Sequence, residues 1–499
     1  MMRSILFGWL FAGAVLSTKW CDKKVAVYSS SKNGKRFNRT DVYFKSTRSK
    51  PVDHEITINL NKNFGAAFTD SAGINLLSLS EDLRETLIAQ YWGPNGIELT
   101  TGRVPIASTD FSTHAYSYLD TENDFNLTTF ALAPEDFQLK IPFIKMAQRL
   151  RGGALTLFAT PWSAPGWMKE TGKMVSGGKL KGEFGGQYYE TWTRYYLRFF
   201  EEYAKNGVEF WGLAVQNEPS LGQVQSAAFI SFHNVQNRRE LLLYYSPADE
   251  REFIKQHLGP AIRNHPLTKN LKLMCNDDQR FELPTRPDTA NPERLDCRLL
   301  YVDGVSVWVV TLSSYEDFIF SSKSLNEVHD HHPTKFILAT EACNGYSFLD
   351  HGPNLGSWEG GEAYGTSIID DLNHWVAGWT DWNLCLDMTG GPTFVNNSVD
   401  SSIIVNAQKN EFYKQPTFYV LGHFSKFIRP SSVRVDMQIS NLAEGDLTDG
   451  VAFKTPDNQL VVVLQNASGE RAFNTTDRPL NSITVTLEPN SIYTFVWNL

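Results

Sequence analysis

Phe210-Trp211-Gly212-Leu213-Ala214-Val215-Gln216-Asn217-Glu218-Pro219-Ser220 is the stretch from which the fold is read. It opens with an apolar run too short for an independent helix and suited to a strand buried on both faces. It then turns polar at Gln216, Asn217 and Glu218, and Pro219 stops the strand because it cannot donate to a sheet ladder. A lone Glu at a strand end is ordinarily a solvated carboxylate. A second stretch repeats the grammar: Phe336 to Ala339 is apolar, Thr340-Glu341 follows, and Asn344-Gly345 forms a turn. Two carboxylic acids at the ends of two buried strands are what a (β/α)8 barrel enzyme presents at its catalytic face. They are also the minimum equipment for glycoside hydrolysis, one giving a proton to the leaving oxygen and the other attacking the anomeric carbon or activating water.

Strand and helix signals alternate outward from these two stretches. Ser80 opens a helix with Glu81 and Asp82 in its first turn and Leu83, Leu87, Ile88 and Tyr91 on one face. Strands are expected near Gly96–Ile106, Ala154–Ala159, Leu271–Asn276, Val302–Val310 and Val376–Thr380. Trp192, Tyr196, Phe199, Phe200 and Tyr203 form a helical stripe that suits packing against the sheet. The alternation predicts an α/β (β/α)8 TIM barrel over residues 64–414. From Val433 short strands separated by turn signals replace it, an all-β sandwich over 415–499. The alternating run His54–Leu60 predicts that the N-terminal segment 18–63 contributes to the same sandwich.

The flanks and composition narrow the class. Residues 1–17 read as a secretory signal peptide, with Arg3 ahead of an apolar stretch too short to span a bilayer. No later run reaches the length of a transmembrane helix, so action at a membrane surface would proceed without insertion. Secretory entry makes the sequons at Asn38, Asn126, Asn466 and Asn474 candidate glycosylation sites, and Asn396 opens a fifth. With 55 acidic against 46 basic residues the net charge is −9, which argues against nucleic acid as the main partner. Five cysteines, Cys21, Cys275, Cys297, Cys343 and Cys385, are no disulfide framework. Cys275 and Cys297 are either a pair or buried thiols. His329, His331 and His332 lie ahead of a strand without a further ligand in view, so no metal is expected and a solvated loop is the reading.

The strand ends together read Asp70, Asp110, Trp162, Asn217-Glu218, Glu341 and Asp381-Trp382-Asn383. Carboxylates and amides hold ring hydroxyls, and an indole stacks on the C–H face of a sugar. With FGAAFTD (64–70), RVPIASTDFS (103–112), TPWSAPGWMK (160–169), QNEPS (216–220), NDDQR (276–280), TEACNG (340–345), GWTDWNL (378–384) and FYKQPTFYVLGHFSKFI (412–428), the chain resembles the acid β-glucosidases of glycoside hydrolase family 30. The resemblance implies hydrolysis of glucosylceramide to glucose and ceramide in the secretory pathway or lysosome, aided by a saposin-like activator and without a cofactor. It assigns Glu218 as acid/base and Glu341 as nucleophile of a retaining mechanism, about 5–5.5 Å apart. The charge of Glu341 is then expected to raise the pKa of Glu218. Asn217 is matched to the residue holding the 2-hydroxyl, and Asp110, Trp162, Tyr315, Trp382 and Asn397 to the walls of the glucose pocket.

The chain departs from that family where the sixth barrel strand ends. The family's His-Trp-Tyr is replaced by Trp308 to Tyr315, without the histidine and with extra residues before the tyrosine. Two rival readings follow: a catalytically impaired relative that binds glycosphingolipid, or a family member acting on a different β-glycoside. The presence of both Glu218 and Glu341 favours catalysis.

Overall fold

The computed structural model describes residues 24–46, 58–59, 63–153, 155–222, 241–290, 301–310, 322–346, 351–437, 439, 447–469, 471–476 and 481–499. The expected signal peptide, most of the 54–60 run, Tyr315 and Cys297 lie outside these residues.

Eight parallel strands close into a barrel: Asn63–Ala67, Thr101–Ile106, Thr156–Pro161, Gly212–Ala214, Lys272–Gln279, Gly304–Val310, Phe336–Cys343 and Val376–Asn383. Neighbours in sequence are neighbours in the barrel, and the eighth strand pairs with the first. Gly65 permits the tight join of the first two strands, since a Cβ there would meet the Thr101 carbonyl oxygen at 2.7 Å. Helices cover the outside. Glu81–Trp92 buries Leu87, Ile88, Tyr91 and Trp92, and Gln187–Lys205 buries the aromatic stripe read from the sequence. These helices join the strands in one apolar core. The strand-helix alternation read from the sequence is therefore the architecture.

The sandwich has a seven-stranded sheet ordered Asn38–Tyr43, Lys24–Ser31, Ser491–Asn498, Gln459–Asn466, Thr448–Lys454, Val433–Val435 and Ile58–Asn59. A second sheet contains Arg471–Thr476, Asn481–Leu487 and Lys45–Ser46. Val25, Val27, Val462, Leu464, Phe495 and Trp497 pack with Ile483 and Leu487 between them. Chain ends far apart in sequence thus share one sheet, as the alternating run near Ile58 suggested. The hairpin Lys24–Ser31/Asn38–Tyr43 is the part that sequence reading missed. Lys24–Ser31 ends in the buried serines Ser29, Ser30 and Ser31, which fall on both faces of the strand, so the hydrophobic alternation stops halfway along it.

Helix Pro416–Ser425 joins barrel to sandwich. His423 is fully buried there, with Nδ1 2.8 Å from the Thr494 hydroxyl and Nε2 2.9 Å from the Ser30 hydroxyl. Gln465 of the sandwich donates to Glu362 O and to the Thr366 hydroxyl on helix Trp358–Asn373 of the barrel.

Candidate active site

The carboxyl ends of the barrel strands converge on Arg103, from the second strand, whose side chain has no solvent exposure. Its Nη1 pairs with Glu341 Oε2, at the end of the seventh strand. Its Nη2 donates to Asn217 Oδ1 at 2.9 Å and to Asp277 Oδ2 at 2.9 Å. Asp277 takes a second hydrogen bond, 2.5 Å long, from the Thr340 hydroxyl beside Glu341. A planar guanidinium presents its donors in a fixed fork, so one residue sets the relative position of three strand ends.

Indoles surround this centre. The Arg103 guanidinium carbon lies 4.8 Å from the Trp162 ring, 5.4 Å from Trp382 and 5.7 Å from Trp308. Trp162 and Trp382 stack at 5.1 Å, and Phe111 meets Trp382 edge-on at 6.0 Å. The wall continues with Asn397, whose Nδ2 donates to Asp110 Oδ2 at 2.8 Å. Asn396 beside it is exposed.

Glu218 sits on a turn after the fourth strand in left-handed backbone, φ 42°, which a side chain with a Cβ rarely adopts. Its N–H donates to Asp277 O at 3.0 Å, and the N–H of Asn217 donates to Pro161 O at 3.0 Å. Asn276 and Asp277, on the strand that holds this turn, are left-handed as well, at φ 79° and 50°. Such strain gathers where surrounding bonds over-determine the backbone, commonly at active sites.

Electrostatics bind the acids into one group. Burial raises the Glu341 carboxyl well above the ordinary carboxylate range; Arg103 opposes this, and the charges of Asp110 and Asp277 add to it. Burial also raises the Cys343 thiol, helped in turn by Glu341, Asp381, Asp110 and Glu218, so four carboxylates act on one point. Asn217 Nδ2 is buried without a protein acceptor among the described residues, a donor aimed at whatever enters the site.

The structure therefore brings Asp110, Trp162, Asn217, Glu341, Trp382 and Asn397 together with Glu218 at the rim. Asp70 and Asp381 serve the scaffold instead. Asp70 accepts from the hydroxyls of Ser112 at 2.5 Å and Tyr116 at 2.9 Å, and Asp381 accepts from Tyr364 and Ser402 at 2.7 and 2.6 Å. Sequence reading missed Arg103, Asp277 and Trp308. The available signal was an arginine inside the otherwise apolar strand Arg103-Val104-Pro105-Ile106, since a buried arginine demands partners.

Several expectations are corrected. Asn466 is fully buried, and its Nδ2 donates to Gly469 O and Glu488 O at 2.9 and 2.8 Å, so a glycan on that nitrogen has no room in the fold. Asn38 and Asn126 are exposed, and Asn474 lies in the strand Arg471–Thr476. His329 and His331 close a helix, Lys323–His331, rather than a loop. His331 and His332 both face Asp288, at 2.9 and 3.0 Å, and His329 stacks on Trp375. Among the described residues, no helix is long and apolar enough to cross a membrane.

Two family models match the chain, the glycosyl hydrolase family 30 TIM-barrel domain over residues 61–428 and the family 30 β-sandwich domain over 431–495. The lysosomal acid glucosylceramidase of Mus musculus is 37% identical over 511 residues, covering 98% of this chain and 94% of the relative. Putative glucosylceramidase 4 of Caenorhabditis elegans is 43% identical over 485 residues, covering 95% and 89%. Among solved structures, SrfJ from Salmonella typhimurium superposes with a TM-score of 0.81 at 24% identity, covering 95% of this chain and 100% of that one, a likeness of fold. The chain belongs to glycoside hydrolase family 30 and is a glycosidase.

Proposed function

We propose that the chain is a retaining β-glucosidase that releases glucose from glucosylceramide in sphingolipid breakdown. The observation that carries the reading is the Arg103 hub, which ties the buried Glu341 to Asn217 beside an indole platform. In the first step a Glu341 oxygen attacks the anomeric carbon while Glu218 protonates the departing ceramide oxygen, so the glycosidic C–O bond breaks as an ester bond to Glu341 forms. In the second step Glu218 takes a proton from water as the water attacks that carbon, and the ester bond breaks to free Glu341. Asn217 Nδ2 donates to the sugar's 2-hydroxyl. Trp162 and Trp382 take its C–H face, with Asp110 and Asn397 at its remaining hydroxyls. Tyr315 belongs to the same pocket in this reading.

The leader-like residues 1–17 and the likeness to a mouse lysosomal enzyme support work in the secretory pathway and lysosome. The lipid is taken at a membrane surface, with a saposin-like activator presenting it. Asn38, Asn126 and Asn474 carry the glycans.

The test is hydrolysis of a fluorogenic β-glucoside at about pH 5 by the secreted chain, beside Glu341→Gln. Turnover that disappears in the variant supports the reading, and a folded wild type without turnover sinks it. Faster turnover of a β-xyloside or β-galactoside moves the assignment to a different β-glycoside.

A further inference from the structure

Arg286 lies behind the turn that carries Glu218, outside the sugar site, and only 2% of it is exposed. It belongs to the short helix Thr285–Ala290. Its Nη1 donates to Tyr245 O at 3.1 Å and to Glu250 Oε2 at 3.3 Å, and its Nε donates to Glu282 Oε2 at 3.2 Å. Glu250 has no exposure either, and its second oxygen accepts the Asn276 N–H at 2.9 Å. Burying a guanidinium beside carboxyl groups is costly unless each is partnered, and here the partners are supplied by these hydrogen bonds.

Two of the Arg286 partners, Tyr245 and Glu250, lead to the Glu218 turn. Tyr245, whose carbonyl Arg286 holds, donates its own N–H to Pro219 O at 3.2 Å. Asn276, held by Glu250, starts the left-handed pair Asn276-Asp277, and Asp277 O accepts the Glu218 N–H. Asp278, fully buried, accepts the Ser220 N–H at 2.9 Å, and the Arg286 charge acts on it as well. Three consecutive residues of the turn, Glu218, Pro219 and Ser220, are thus gripped through backbone atoms by groups that converge on one guanidinium. The grip has work to do, because the left-handed Glu218 backbone returns to the ordinary region when it is released, and the carboxyl swings with it.

We infer that Arg286 is the positioning residue for the acid/base: through Tyr245, Glu250 and Asp278 it holds the strained Glu218 turn where a proton can reach the leaving oxygen. This rests on the assignment of Glu218 proposed above.

The prediction separates positioning from mere support. A displaced proton donor matters in proportion to how badly the leaving group needs a proton. Arg286→Met is compared with wild type on 2,4-dinitrophenyl β-glucoside, whose leaving group departs unprotonated, and on an alkyl β-glucoside, whose leaving group cannot. The expected result is a fall in kcat/KM about 10- to 100-fold larger for the alkyl than for the dinitrophenyl glucoside. Arg286→Lys keeps the cation without the fork and gives the same pattern at smaller size; it carries the test if the methionine variant does not fold. Equal losses on both substrates, or no loss in a folded variant, overturn the inference. A wild type inactive on both substrates instead overturns the glucosidase assignment, so the two failures are distinguishable.

Discussion

The Arg103 centre and the barrel–sandwich seam at His423 are both buried and polar, yet they are built on opposite rules. At the seam the groups are neutral: an imidazole between two hydroxyls that can each donate or accept. Burial lowers the His423 pKa to about 3, so the ring stays uncharged. At the Arg103 centre a guanidinium is paired with two carboxyl groups, the neighbouring backbone is left-handed, and Asn217 Nδ2 has no protein acceptor among the described residues. A seam needs only to be satisfied, and neutral pairs accomplish that at least desolvation cost. A site must keep charge and an open donor available to a substrate, and the fold carries the resulting strain.

The most damaging break in this contrast is Arg103→Met. It leaves Glu341 and Asp277 buried without their cation and Asn217 without its anchor. Turnover of a β-glucoside is expected to fall by at least about 10³, and unfolding free energy by about 3–5 kcal/mol. Steady-state kinetics beside denaturant melts measure both. A variant that loses stability but keeps its turnover would place Arg103 with the seam, as scaffold.

The buried carboxyls of the barrel around that centre and the seam histidine predict opposed pH responses. Burial raises Glu250 to about 7, Asp381 to about 7 and Asp278 to about 6. These carboxyls are neutral in the folded chain at pH values where the unfolded chain ionises them. The stability they contribute is complete below the unfolded carboxyl pKa and is lost as pH rises through 6 to 7. His423 has the opposite sign: it is neutral when folded, so its contribution is complete above the ordinary histidine pKa and is lost as pH falls toward 3. Denaturant melts across this range should show Glu250→Gln flattening the neutral limb and His423→Asn flattening the acid limb. Each group accounts for at most about 1.4 kcal/mol per pH unit. If Glu250→Gln leaves the neutral limb unchanged, Glu250 is ionised in the folded chain throughout, and the barrel end does not favour acid.

The two regions also differ in how much of each could be read from the sequence. Glu218 and Glu341 stood out because each ends an apolar run, and an abrupt change from apolar to polar residues marks the end of a buried strand. Trp162, Asp110 and Trp382 stood out because they close blocks of the same kind. Arg103 sits in an apolar stretch, which signals that it is buried, but the stretch does not name its partners: Asn217, Asp277 and Glu341 lie 114, 174 and 238 residues away. The serine-rich end of Lys24–Ser31 was hidden for the same reason, because the Ser30 hydroxyl finds its partner in His423, 393 residues on. Periodicity reports burial by apolar side chains, whereas polar burial is a property of pairs, and the pairs are distant.

The smallest expected effect lies at the edge of the site, where the two rules meet. Asn397 is half-buried, and among the described residues its side chain bonds to Asp110. If it belongs to the site, Asn397→Ala removes one hydrogen bond from Asp110 and one polar group from the sugar pocket. KM for a β-glucoside then rises about 3- to 10-fold, equivalent to roughly 1 kcal/mol for one hydrogen bond, while kcat and the melting midpoint hold. If it belongs to the scaffold, the loop that returns Phe394 to the apolar cluster around Trp162 and Trp382 loosens, and the midpoint falls with kcat. The first outcome draws the boundary of the charged, substrate-facing region outside Asn397. The second draws it at Asp110 and makes the pocket wall one residue thinner than the geometry suggests.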